Sequence, residues 1–218
     1  MQELIAFAHG MGNFAHNRGT KEEQERLIRD HPDAGHRFLG AFDDSGNFAF
    51  ATSRDMEELQ ADVLAALNVK YEVEGVVIIA REGAARALAT LEGIARSRYG
   101  SKFRLRDYAV SKECKRWRLG FVFIDQEAGL SSVSIDELES LSNEDVEVLS
   151  VHEGIVGVLK FDQGKRIPWG EPAGTVAGLL GRMTPRLLAT GRSARTVRGV
   201  LRKFPQPSHG RKSRSPLV

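Results

Sequence analysis

The chain predicts an α+β fold: two tandem ferredoxin-like (α/β-plait) subdomains followed by a disordered basic C-terminal tail. Three observations carry this expectation. Short apolar runs of strand length alternate with longer stretches whose apolar residues recur at helical spacing. The order strand, helix, strand, strand, helix, strand emerges over residues 1–100, which is the split βαβ plait, and a comparable order returns over residues 101–204. Residues 205–218, PQPSHGRKSRSPLV, hold almost nothing that a core would bury and are expected to stay disordered.

In the first half, ELIAFAHG reads as a buried strand, and the Gly-rich loop GMGNFAHNRG leads to a helix opened by Thr20, with Glu23 completing a capping box. HRFLGAF and NFAFATS flank DDSG, the signal of a hairpin. Ser53 or Asp55 caps DMEELQADVLAALNVKY, whose Met56, Leu59, Val63, Leu64 and Leu67 form one stripe. GVVIIA is a β-branched strand, and REGAARALATLEGIARSRYG an amphipathic helix. The join lies near Tyr99 to Lys115, where glycine and charge replace apolar periodicity.

The second half reads as strand RLGFVFID, helix VSIDELESL, the hairpin pair DVEVLSVHEG and IVGVLKFD, helix EPAGTVAGLLGRM with Pro172 in its first turn, strand PRLLATG and a last helix SARTVRGVLRKF. On that last helix Ala194, Val197, Val200, Leu201 and Phe204 share an apolar face. Arg195, Arg198 and Arg202 fall opposite, so amphipathicity alone predicts an exposed arginine stripe.

Charge is segregated along the chain although the formal net charge is only +2. Residues 1–100 hold 11 basic and 16 acidic side chains, residues 119–159 hold nine acids and no Lys or Arg, and residues 182–218 hold ten Lys or Arg and no acid. Such blocks attract a polyanion or pair with one another across the fold. No window approaches the apolar length of a membrane span, and the N-terminus lacks the pattern of a signal peptide, so a cytoplasmic protein without a membrane partner is expected. The single cysteine, Cys114, excludes an internal disulfide and leaves no cysteine-based zinc cage.

LIAFAHGMG, SGNFAF, VVIIARE, LGFVFIDQE and LLATGRSARTVRGVL, in that order, resemble the signposts of the bacterial domain-of-unknown-function family 1697 over about residues 2–203. The resemblance implies two α/β-plait-like subdomains and no established activity. Departures accompany it. Members usually carry Arg-Gly-Ile-Asn in the first loop where this chain has HGMG at 9–12, and Arg-Asn-Trp-Asn-Thr in the last motif where it has RSART at 192–196. They also tend to carry an Arg-Ser-Lys-Leu-like turn after the second hairpin, where this chain has GKRIPWGEPAGT. Arg192 and Thr196 are kept, while the aromatic and both amides are gone.

Candidate chemistry is sparse. His9, His16, His31 and His36 do not follow the spacing of a zinc motif, so no metal ligand and no cofactor are assigned. Paired acids at Asp43 and Asp44, Glu57 and Glu58, and Glu144 and Asp145 are explained by turns, a helix start and a loop; no catalytic residue is assigned, and a non-enzymatic role is favoured. GKRIPWGEPAGT enters a helix without matching a P-loop, leaving Lys165, Arg166 and Thr175 as a small-anion loop candidate. In SKFRLRDYAVSKECKRWR, Arg104, Arg106, Arg116 and Trp117 suit phosphate contact and base stacking, for which a plait sheet is a known platform. With Arg192, Arg195, Arg198, Arg202 and Lys203 they form the candidate nucleic-acid surface. The leading expectation is a nucleic-acid-binding protein. The alternatives are an enzyme or sensor for a small anionic metabolite held between the subdomains, and a protein-interaction module in which the acidic stretch 125–153 meets a basic partner.

Overall fold

The computed structural model describes residues 1–11, 19–35, 37–99, 117–125, 135–140, 142, 146–161, 180 and 187–205. They form a mixed α+β fold with two four-stranded antiparallel sheets and five helices. The first half runs β1 (Gln2–His9), α1 (Lys21–Asp30), β2 (Phe38–Ala41), β3 (Asn47–Thr52), α2 (Met56–Asn68), β4 (Gly75–Ala80) and α3 (Arg81–Tyr99). Its second half runs β5 (Trp117–Ile124), α4 (Ile135–Glu139), β6 (Val146–His152), β7 (Ile155–Phe161), β8 (Ala189–Ser193) and α5 (Ala194–Leu201).

The sheet orders are β2-β3-β1-β4 and β6-β7-β5-β8, the same pattern written twice. Every neighbouring pair is antiparallel. Local chemistry sets the boundaries. The Thr20 hydroxyl accepts the Glu23 N–H at 3.2 Å and starts α1, and Asp55 accepts the Glu58 N–H at 2.8 Å and starts α2. Glu153 and Gly154, both at positive φ (43° and 78°), turn β6 into β7.

Strand alternation explains why the central strands read as continuous apolar runs rather than alternating ones. In β1, Leu4, Ala6 and Ala8 pack under α1 and α2, while Ile5 and Phe7 point to the other side. In β5, Val122 and Ile124 meet Leu138 of α4, while Leu119, Phe121 and Phe123 point away from it. Those second faces meet each other. One core joins Ile5, Phe7, Val77 and Ile79 to Leu119, Phe121, Phe123, Ile155 and Leu159, with Ala84, Leu88, Leu91 and Ala95 of α3 and Ala194, Val197 and Val200 of α5 included. The rings of Phe7 and Phe123 stack across it at 4.5 Å. Burying a phenylalanine contributes about 1.5–3 kcal/mol and such a pair about 0.5–1.5 kcal/mol more, so this contact ties the two halves together.

The described side chains of β1, β3 and β4, and of β5 and β7 over residues 119–124 and 155–159, are covered on both faces, so bases have no room to stack on these stretches. The last strand is also displaced from PRLLATG to Ala189–Ser193, since its pairing with β5 runs from Ile124↔Ala189 to Gly120↔Ser193 and draws Arg192 into the ladder. Two sheet edges are blunted by side chains: Glu25 accepts the Ala41 N–H at 2.9 Å on β2, and Ser142 accepts the Val148 N–H at 3.0 Å on β6. No helix among the described residues is long and apolar enough to cross a membrane.

Candidate functional site

The most unusual group in the fold is Arg192. Register places it in β8 opposite Phe121, and its guanidinium reaches the end of β1 and the β2–β3 turn. All five of its N–H donors are used. Nε donates to Asn47 Oδ1, Nη1 to Thr190 Oγ1 (2.6 Å) and the Gly191 carbonyl (2.8 Å), and Nη2 to the carbonyls of Ala8 (2.6 Å) and Ser45 (3.0 Å). Its Cζ sits 5.4 Å from the centre of the Phe7 ring. Every one of these acceptors is neutral. Burial without a carboxylate lowers the guanidinium pKa to about 10, so it remains a cation at neutral pH.

The turn that Arg192 holds is built from sequence-encoded parts. Asp43 and Gly46 occupy positive φ (64° and 67°), and a Cβ at Gly46 would lie 2.7 Å from Ala8 Cβ, so only glycine fits there. Gln24, fully buried on α1, donates to the carbonyls of Gly19 (3.0 Å) and Asp44 (2.9 Å) and accepts the Gly46 N–H at 3.2 Å. Asn47, also fully buried, donates to the Phe42 carbonyl at 2.9 Å. Arg192, Asn47, Thr190 and Gln24 thus form a polar seam along the base of the hairpin. Sequence reasoning singled out Arg192 but missed the other three. Gln24 carried a legible signal, since it lies one turn before Ile28 on the buried side of α1. Asn47 carried a weaker one, as the polar member of SGNFAF.

The predicted arginine stripe is present on α5. The Ser193 hydroxyl caps the helix by accepting the Thr196 N–H at 3.1 Å, and its oxygen lies 3.0 Å from the Thr196 hydroxyl. Ala194, Val197, Gly199 and Val200 face inward, and Arg195 and Arg202 are exposed. Arg198 forms a half-buried ion pair with Glu92 of α3. Lys203 extends over Gly40 near Glu25. The acid-free stretch therefore draws counter-charges from α1 and α3, segments far away in sequence.

A second polar cluster lies where α1 meets the residues after α2. The Tyr71 hydroxyl donates to Glu23 Oε2 at 2.6 Å, and Lys70 pairs with the same carboxylate. Burial, then the Glu23 hydrogen bond and charge, push the Tyr71 phenol up; the hydrogen bonds from Lys70 and Tyr71 hold Glu23 below its ordinary range. His9 pairs with Glu74 at 3.2 Å. Among the described residues no group of three or more His, Cys, Asp or Glu is placed to hold a metal.

Arg104, Arg106, Arg116, Lys165, Arg166 and Thr175 lie outside the described residues, as do His16, His36, Cys114 and the tail from residue 206. Trp117 opens β5 by pairing with Phe161.

No family model matches the chain, and no curated protein matches it. Among solved structures it is similar to the conserved bacterial protein SP0830 from Streptococcus pneumoniae, at 18% identity and a TM-score of 0.57, with 93% of this chain and 98% of that chain covered. At that identity the likeness concerns the fold alone.

Proposed function

We propose that this chain is a bacterial, cytoplasmic, non-enzymatic binding protein of the family 1697 kind, built from two ferredoxin-like plaits, and that it engages nucleic acid through α5 and the basic residues after it. The repeated strand order β2-β3-β1-β4 and β6-β7-β5-β8 supports the plait assignment, being the order of a split βαβ unit in each half. The observation that carries the binding role is the exposed side of α5. Arg195 and Arg202 are solvent-facing on a helix with no acid in its first turn, within an acid-free stretch of ten Lys or Arg over residues 182–218. Because the inner strands are covered on both faces, the contact is to phosphates rather than to stacked bases. A salt titration of the full chain with labelled DNA and RNA tests it: log K falls linearly with log[salt], and removing residues 205–218 reduces the slope. Absence of binding at low salt refutes it.

A second reading, a sensor for a small anionic metabolite, is favoured by Arg192, whose positive charge lies next to the α5 N-terminus with no carboxylate among its hydrogen-bond partners. Against it stands the full use of the five donors. A thermal-shift screen of nucleotides and phosphorylated metabolites separates the two, since a ligand at a hundred-fold excess over its Kd stabilises by about 2.7 kcal/mol.

A further inference from the structure

We draw no further inference here: the strongest candidate, the exposed face of α3 on which Ala85, Ala89, Gly93 and Ser97 recur about one helical turn apart, is a stripe of small residues, and nothing in the structure shows what covers it.

Discussion

Replacing Arg192 by leucine is expected to destabilise the protein by roughly 3–5 kcal/mol. The magnitude follows from what is left behind. Five acceptors lose their donor: the carbonyls of Ala8, Ser45 and Gly191, Asn47 Oδ1 and Thr190 Oγ1. An unsatisfied buried acceptor costs about 1–3 kcal/mol, although some of these regain water or a second partner, and removing an uncompensated buried cation returns part of the loss. For a chain of this size the melting temperature falls by roughly 6–20 °C. Arg192→Lys keeps the charge but offers three donors from one point instead of a planar fork, so about half of the loss is expected. Urea and thermal unfolding at neutral pH measure both. The pH dependence adds an independent check with a definite sign. With its folded pKa lowered to about 10, Arg192 is protonated in both states below that value, so the stability gap between the wild type and Arg192→Leu stays flat from pH 6 to 9. Above about 10 the unfolded state holds more protons, and the wild type gains relative to the variant. A loss below about 1 kcal/mol for Arg192→Leu, with the fold intact, refutes the clamp and leaves the guanidinium free for an anion.

Three further outcomes follow from the packing. A Cβ at Gly199 would lie 2.3 Å from the Phe42 ring, so Gly199→Ala lifts α5 off the hairpin and costs about 1–3 kcal/mol, whereas Gly93→Ala, with nothing within 4 Å, stabilises by about 0.5–1 kcal/mol; paired melting curves of the two variants decide it. Phe123→Ala costs about 3–5 kcal/mol and, because Phe7 stacks on it from the other sheet, both halves melt together; two separate transitions by near-UV and far-UV circular dichroism would count against the shared core. Burial raises the Glu25 carboxyl, but the Ala41 N–H with Lys21, Arg29 and Lys203 outweighs it and holds the pKa below 4.5; its stabilisation is present above that value and disappears as the pH falls through the lowered one, a loss that Glu25→Gln should not show.

Local elements were legible because local chemistry fixes them. The Thr20 and Asp55 caps, the DDSG hairpin and the two-residue turn at Glu153 and Gly154 are each specified within a few residues. The pairing of the two sheets was not. GVVIIA and LGFVFI announce strands buried on both faces, but nothing in their letters says that the second cover is the other half of the chain rather than a helix of its own. Long-range polar contacts escaped for the same reason. Asn47 and Arg192 are 145 positions apart, and a buried amide meeting a partly buried guanidinium leaves no periodicity to read.

The basic block at the end of the chain shows how composition and geometry answer different questions. Counted along the sequence, residues 182–218 have no acid, and that count invites a polyanion. In space, Glu92 and Glu25 reach α5 from either side. Glu92 meets both Arg198 and Arg96, and Glu25 meets Lys21 and Arg29 and feels Lys203, so acids from the first half of the chain answer a block that contains none of its own. Isolated surface pairs contribute little to stability, so these contacts carry almost no folding consequence. What they change is the charge that a partner meets at α5, which neither the net charge of +2 nor the sequence block by itself describes.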